Sequence, residues 1–304
     1  MYVVMGASGN TGHVVATSLL TRGEKVRVVG RNSAHLQPLA SKGAEPFIAD
    51  ASDARALAKA FHGADSAYVM IPPNITSKDP LGYASRVSDA IVAAVKDSGT
   101  KNVVALSSIG AELPAGTGPV VGLHHLEQKL NQISSANVLY LRAGYFMENT
   151  LPQANVIRLM GSVAGPLRAD LKVSMIATRD IGAAAAEALV HPAIHGTTKP
   201  GKQTRELLGQ ADLSYDEVAS ILGNAIGKPG LKYVRLPDDQ FRGALVQMGM
   251  SEQMANLLVE MTQALNAGTM RALESRTAQN TTPTSYATFA AEVFAPAYKQ
   301  QAAA

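Results

Sequence analysis

The sequence predicts an α/β fold, a doubly wound parallel sheet followed by a smaller, mainly helical carboxy-terminal domain. In the first half, six short runs rich in β-branched residues alternate with stretches of helical periodicity, as in parallel strands joined by helices. Beyond residue 150 helical patterns dominate and the strands are short. The 304 residues, 46% of them hydrophobic, suffice for a sizeable core. We expect a nucleotide-binding domain over residues 1–150 and a smaller substrate-binding lobe over residues 151–304, some segments of which rejoin the sheet.

The first-half elements follow one another in a regular order. Right-handed crossovers between parallel strands bring the carboxyl ends of all the strands to one edge of the sheet, where ligands bind. The predicted order is strand YVVM, helix 11–22, strand KVRVV, helix 34–42, strand EPFIA, helix 53–61, strand SAYVMI, helix 80–96, strand NVVALS, helix 122–133 and strand NVLYL. In the second half, KVSMI and LKYVRL predict strands, and SYDE at residues 214–217 is a capping box.

Composition and charge exclude several classes of function. The chain has no Cys and no Trp, so disulfides, thiolate nucleophiles and Cys-ligated metals are excluded, and no metal site is predicted. We expect no signal peptide and no membrane span, since the chain begins with a strand pattern and no apolar run reaches about 18 residues. The expected location is cytoplasmic. Lys and Arg are dispersed and the net charge is only +3, so we expect no direct nucleic-acid binding.

A glycine-rich loop follows the first strand. MGASGNTG, residues 5–12, places Gly6, Gly9 and Gly12 three residues apart between a strand and a helix. In a Rossmann-type dinucleotide fingerprint, the helix N-terminus offers free N–H groups to a pyrophosphate. Gly6 then permits the tight turn, Gly9 lets the backbone approach the phosphates, and Gly12 lets helix and strand pack closely. The polar positions that add hydrogen bonds are Ser8, Asn10 and Thr11. An ordinary turn between strand and helix is the alternative.

The end of the second strand indicates which cofactor binds. An acidic residue there would hold the ribose hydroxyls of NAD, but this chain has Arg31 in VVGRN. A guanidinium suits the 2′-phosphate of NADPH or NADP, the predicted cofactor; a solvated surface Arg is the alternative. Asp50, after the third strand, either accepts a hydrogen bond from the adenine amino group or caps the next helix. Ile71, Pro72 and Pro73 end the fourth strand as a rigid wall along the cofactor, or only shape a loop.

Several motifs in order resemble the NmrA-like family of atypical short-chain dehydrogenases/reductases. They are GASGNTG, GRN, SSIGA, LRAGYFMEN, TRDIGAAAAEAL and LSYDEVASILGNAIGKP. That family includes NADPH-dependent quinone reductases, azo-dye and triarylmethane-dye reductases, and non-catalytic redox-sensing regulators. The resemblance implies NADPH laid across a Rossmann domain, with the carboxy-terminal domain closing over the nicotinamide. It also implies that the nicotinamide end is lined by Ala143, Gly144, Tyr145 and Phe146.

The catalytic position departs from ordinary short-chain dehydrogenases, which carry Tyr-x-x-x-Lys on the helix after strand five. Here GLHHLEQKL keeps Lys129 and puts His125 in place of the Tyr, while His124 with Lys129 matches several dye and quinone reductases of the family. Residues i and i+4 share a helical face, so His125 as proton donor and Lys129 as a ribose or phosphate contact can both face the cofactor. A solvated polar face is the alternative. Ser107 or Ser108 either hydrogen-bonds the cofactor or serves the strand end.

The predicted function is that of an NADPH-dependent oxidoreductase, which transfers hydride to a flat conjugated acceptor such as a quinone or a dye. The expected partner is this small aromatic substrate, and a homodimer is compatible with the sequence. The alternative is a non-catalytic NADP(H)-binding sensor that acts through a protein partner. An enzyme needs an open apolar space above the nicotinamide, and a sensor does not. Five methionines either pack a helical core or form a pliable wall over the nicotinamide: Met248, Met250, Met254, Met261 and Met270.

Overall fold

A computed structural model describes residues 1–191 and 201–300. Its first half confirms the predicted alternation of strands and helices. The inner strands, such as β1 and β4, are largely buried, whereas β3 at the edge of the sheet is mostly exposed. The elements are β1 (Tyr2–Met5), α1 (Asn10–Thr21), β2 (Val26–Gly30), α2 (Ser33–Ala40), β3 (Glu45–Ile48), α3 (Ala54–Phe61), β4 (Ser66–Val69), α4 (Pro80–Ser98), β5 (Asn102–Ser108), α5 (Val121–Asn131) and β6 (Asn137–Ala143).

The second half combines short strands with helices. The strands are β7 (Tyr145–Phe146), β8 (Val163–Gly165), β9 (Val173–Ile176), β10 (Lys202–Leu207), β11 (Ala211–Leu213) and β12 (Tyr233–Arg235). The helices are α6 (Gln153–Met160), α7 (Thr178–Val190), α8 (Tyr215–Ala225), α9 (Asp238–Gln247), α10 (Glu252–Asn266), α11 (Tyr286–Phe289) and α12 (Ala295–Gln300), with a π-helical turn at Ala290–Phe294. The predicted capping box is present, since Ser214 Oγ accepts from the Glu217 N–H and Glu217 accepts from the Ser214 N–H.

The central sheet has seven strands in the order β10-β6-β5-β4-β1-β2-β3, and every pairing in it is parallel. Its seventh strand, β10, comes from the second half of the chain, and α7 packs against α1 on one face of the sheet. Two small sheets, β11-β9-β7 and β12-β8, belong to the carboxy-terminal lobe. The strand order reverses between β1 and β4, which is where a doubly wound sheet opens a crevice.

Helices cover both faces of the sheet. Val3 and its neighbours pack against α3, α4 and α5, whereas Val4 and Tyr68 pack against α1 and α7. A separate core built around Phe289 and Phe294 holds the carboxy-terminal lobe together. Over residues 1–191 and 201–300, none of the helices combines the length and the hydropathy needed to cross a membrane. The same residues contain no group of three or more His, Asp or Glu side chains placed to hold a metal ion.

Candidate active site

A cavity of about 1090 Å³ opens at the carboxyl edge of the sheet, beside the point where the strand order reverses. Its floor is formed by the ends of β1, β4, β5 and β6, and its roof by α10 and residues 268–276. This volume is at the upper end of the range for small-molecule sites, which suits a ligand as large as a dinucleotide. Twelve predicted cofactor residues line it: Gly6, Gly9, Asn10, Thr11, Ile71, Pro72, Pro73, Ser107, Ala143, Gly144, Tyr145 and Phe146.

The glycine loop has the backbone geometry that its spacing predicts. Gly6 has φ +61°, in the left-handed region, and a Cβ there would lie 2.8 Å from the sulfur of Met70. At Gly12 a Cβ would lie 2.7 Å from the carbonyl carbon of Gly6, so helix α1 sits directly on the turn. Gly9 caps α1 without a side-chain hydrogen bond. The first N–H groups of α1 therefore remain uncapped at the cavity wall, as an anion site requires.

Two polar side chains of this loop differ in their surroundings. Thr11 is buried, and its Oγ1 accepts a hydrogen bond of 2.9 Å from the hydroxyl of Tyr68. Ser8 is exposed and does not line the cavity. The residues of this loop that line the cavity are Gly6, Gly9, Asn10 and Thr11.

Arg31 and Asp50 do not line the cavity, but both lie near enough to Tyr83, which does, for their charges to act on its pKa. Arg31 is exposed. Hydrogen bonds from the side chain and backbone of Ser52, at 2.6 and 2.8 Å, lower the pKa of Asp50, and the charge of Arg31 lowers it further. Burial raises the pKa of Tyr83, which lines the cavity, and the charge of Asp50 adds to that effect.

The helix-cap alternative for Asp50 is wrong, because Asp53 caps α3 by accepting from the N–H groups of Arg55 and Ala56. The Asp50 carboxylate is instead occupied by Ser52. An adenine contact of Asp50 stays a prediction.

The three predicted catalytic residues on α5 do not line the cavity. Lys129 Nζ lies 2.7 Å from Asp89 Oδ1 and 3.0 Å from Ser85 Oγ, both on α4. His124 Nδ1 lies 2.9 Å from the carbonyl oxygen of Ala111, and His125 is exposed. The positions that correspond to Tyr-x-x-x-Lys are not on the buried face of α5. That face consists of Val121, Gly122, Leu126, Glu127 and Leu130. The geometry therefore gives these three predictions no support.

The inward face of α5 instead carries a buried ion pair between Glu127 and Arg142. Glu127 is 5% exposed, and its carboxylate accepts from Arg142 at 3.0 and 2.7 Å and from Ser107 Oγ at 2.6 Å. Arg142 also donates to Glu112 at 2.9 Å. Burial opposes the charge of Arg142, but its hydrogen bonds and the carboxylates outweigh this and raise its pKa. The Ser107 hydroxyl proton is thus engaged with Glu127, while Ser108 Oγ donates to the Ile109 carbonyl at the strand end.

Sequence reasoning missed this network, although a signal was present. Arg142 interrupts the apolar run NVLYLRA, and in the sheet it stands opposite Ser107 of β5. A charged residue in a central strand needs a buried partner, because an isolated charge is costly to bury. The partner, Glu127, lies in the helix between the two strands.

The roof of the cavity is apolar. Met254, Leu258 and Met261 of α10 line it, together with Leu265 and Met270. Three of the five methionines therefore line the cavity, as a pliable wall requires, and two of these, Met261 and Met270, also pack in a small core cluster with Ala111 and Val120. Met248, by contrast, is 63% exposed, and Met250 does not line the cavity.

The roof segment is fixed to β10 by a buried carboxylate. Glu206 is 2% exposed and accepts from the backbone N–H groups of Leu273 and Glu274 at 2.8 to 3.0 Å. Arg276 donates to the carbonyl of Leu208 at 3.1 Å and pairs with Asp212. Because β10 belongs to the central sheet, these contacts fix the position of the roof relative to the floor of the cavity.

Together, the seven-stranded parallel sheet, its order and the glycine turn define a Rossmann-type α/β protein with a ligand cavity at the reversal of strand order. The chain belongs to the NmrA-like family, whose model matches residues 2–291.

Characterised proteins of similar sequence and structure were also found. The chain is 31% identical over 265 residues to an NAD(P)H azoreductase of Xenophilus azovorans, covering 86% of each protein. It resembles an NADPH-dependent quinone oxidoreductase of Escherichia coli solved with NADPH (22% identity, 99% of each chain, TM-score 0.75). It also resembles a triphenylmethane reductase of Citrobacter sp. solved with NADP(H) (19% identity, 95% of this chain and 99% of that chain, TM-score 0.75). The resemblance expected from the motifs is confirmed.

Proposed function

We propose that this protein is an NADPH-dependent oxidoreductase that transfers a hydride to a flat conjugated acceptor of the quinone or dye type. One observation carries the proposal. A single cavity joins the uncapped N-terminus of α1 to the wall at residues 143–146 and to an apolar roof of methionine and leucine. A dinucleotide and a planar aromatic can therefore share one cavity.

The residues that contact the cofactor bind different parts of the dinucleotide at successive positions along the sheet edge. The pyrophosphate binds at Gly9 and Asn10, where the N–H groups of α1 are free. The 2′-phosphate pairs with Arg31 at the β2–β3 side, and the nicotinamide lies at the opposite side, over Ala143–Phe146. Ile71 to Pro73 form the wall between the two ends. When bound, the dinucleotide supplies the hydride, and the chain positions the acceptor against it.

The acceptor binds between Tyr145 and Phe146 on one side and the methionine roof on the other. Methionine side chains are flexible and polarizable, so such a roof accommodates flat molecules of different outline. The azoreductase, the quinone oxidoreductase and the triphenylmethane reductase named above all carry names of conjugated acceptors. The open apolar space also favours a reductase over a sensor, which does not need it.

The test is NADPH oxidation by the purified protein against quinones, azo dyes and triarylmethane dyes, with NADH in parallel. We expect turnover with at least one class of acceptor, and faster with NADPH than with NADH. Tight NADPH binding without turnover of any acceptor would contradict the proposal and favour the sensor. Failure to bind either nucleotide would contradict the cofactor assignment itself.

A further inference from the structure

Two tyrosines form a directed hydrogen bond at the wall of the cavity. The hydroxyl of Tyr215, on α8, donates to the hydroxyl oxygen of Tyr145 at 3.3 Å, and the two rings meet edge to face. Tyr145 is partly exposed and lines the cavity, whereas Tyr215 is 5% exposed and stands behind it. Tyr215 is held in place by the ring of Tyr233, 4.9 Å away between centroids.

Because Tyr215 donates in this hydrogen bond, the hydroxyl proton of Tyr145 takes no part in it. The Tyr145 oxygen accepts from Tyr215, so its own O–H must donate elsewhere. Within residues 1–191 and 201–300 its O–H has no acceptor. A hydroxyl normally finds a partner. Because Tyr145 lines the cavity, water or a ligand there can accept this proton.

Two other ionisable groups that line the cavity are less suited to deliver a proton there. Tyr83 lies at the opposite end, beside Asp50 and Arg31. Lys172 is paired with Glu217. Burial raises the pKa of both Tyr145 and Tyr215, so both phenols keep their protons at neutral pH, and the bond from Tyr215 partly offsets the rise at Tyr145.

We propose that Tyr145 is the proton donor to the reduced acceptor and that Tyr215 is a positioning residue, which holds Tyr145 and stabilises its oxygen as the proton leaves. This inference rests on the proposed function. As hydride reaches a quinone, the Tyr145 O–H bond breaks and its proton forms the new O–H bond on the acceptor oxygen. The tyrosinate accepts a hydrogen bond from Tyr215 until a water molecule of the open cavity returns the proton. Tyr145 thereby supplies the proton that the tyrosine of Tyr-x-x-x-Lys, absent from α5, supplies in ordinary short-chain dehydrogenases.

Two kinds of acceptor distinguish a residue that donates a proton from one that only shapes the cavity wall. A quinone takes up a hydride and a proton. A cationic triarylmethane dye takes up a hydride at its central carbon and becomes neutral without any proton. A residue that only shapes the wall affects both reactions, whereas a proton donor affects the first alone. The quantity to compare is the ratio of kcat for the quinone to kcat for the dye.

For Tyr145→Phe we expect the quinone kcat to fall about 10²-fold and the dye kcat to change less than about twofold, as for loss of a general acid. Tyr215→Phe should lower the ratio by a smaller factor, about threefold to tenfold. The matched control is Tyr233→Phe, whose hydroxyl donates to the Leu167 carbonyl at 2.8 Å and does not line the cavity. Its ratio should stay at the wild-type value.

Equal losses with both acceptors, or no loss with the quinone, would overturn the role of Tyr145. Absence of turnover with both acceptors in the wild type would overturn the proposed function and this inference with it. Binding supplies a readout that needs no turnover. On protein loaded with NADP, Tyr145→Phe should weaken 9-fluorenone about fivefold and leave fluorene, which lacks the carbonyl oxygen, unchanged. Equal weakening of the two ligands would contradict the hydrogen bond.

Discussion

The carboxylate of Glu127 accepts two hydrogen bonds from the guanidinium of Arg142, at 3.0 and 2.7 Å. The pair joins α5 to β6 beneath the cavity, and Ser107 of β5 completes it at 2.6 Å. It fixes the rotation of α5, so that the carboxylate lies inward while Lys129 pairs with α4. The inward face of α5 thus carries an ion pair, and His124, His125 and Lys129 lie outside the cavity lining.

Removing the charge of Glu127 should be costly. We expect Glu127→Gln to lower the free energy of unfolding by about 3 kcal/mol, since it leaves Arg142 partly buried without its main partner. Urea denaturation measures this. Glu112→Gln is the matched control, because Glu112 touches the same guanidinium but its side chain is 24% exposed; we expect about 1 kcal/mol. Similar small losses for both variants would show that the buried pair contributes little.

The close approach at Gly12 leads to a second prediction. Gly12→Ala should destabilise the protein by about 2 kcal/mol or more, because the new methyl group overlaps the backbone of the Gly6 turn. Gly243→Ala, in α9, meets no atom within 4 Å and should be neutral or stabilise by up to about 1 kcal/mol. Chemical denaturation of the two variants compares them. An unchanged midpoint for Gly12→Ala would contradict the packing described.

The role of Arg31 is tested by nucleotide affinity. Arg31→Ala should weaken NADPH about 30-fold and NADH less than about threefold, as expected for one charge-assisted contact with the 2′-phosphate. Fluorescence titration measures both dissociation constants. Arg242→Ala removes the same charge from α9, outside the cavity lining, and should leave both affinities unchanged. Equal weakening of the two nucleotides by Arg31→Ala would refute the phosphate assignment.

The hydrogen bonds of Ser52 to Asp50 predict a pH dependence. They depress the pKa of Asp50 below its ordinary value of 3.8, so they stabilise the folded state above that value. The contribution is lost as the pH falls through the folded-state pKa. Ser52→Ala should therefore raise the pKa of Asp50, followed by NMR titration, and lower stability at neutral pH. The difference in stability should vanish in strong acid.

The control for that experiment is Ser41→Ala. Its hydroxyl donates to the backbone carbonyl of Gln37 at 3.0 Å and touches no carboxylate. Any effect of this variant on stability should not depend on pH in the acid range. A Ser52→Ala difference that persists unchanged at low pH would show that Asp50 is not its source.

The sequence alone predicted the elements that local pattern dictates. Continuous apolar runs indicate strands buried on both faces, and the spacing of Gly6, Gly9 and Gly12 indicates a turn that opens a helix. These features depend on neighbours a few residues away, so the structure reproduces them. The placement of Ile71 to Pro73 and of Ala143 to Phe146 in one cavity follows from the same topology, since parallel strands end at one edge.

The tertiary structure decided which side chains meet there. In the structure the inward face of α5 carries Glu127, which pairs with Arg142 of β6, and not the predicted pair His125 and Lys129. Likewise Met261 and Met270 pack with Ala111 and Val120, from which more than a hundred residues of sequence separate them. Tyr145 and Tyr215, which form a hydrogen bond, are 70 residues apart along the chain. Local periodicity sets the face that a helix buries, but a buried charge or hydroxyl is satisfied by whatever partner the fold brings within reach.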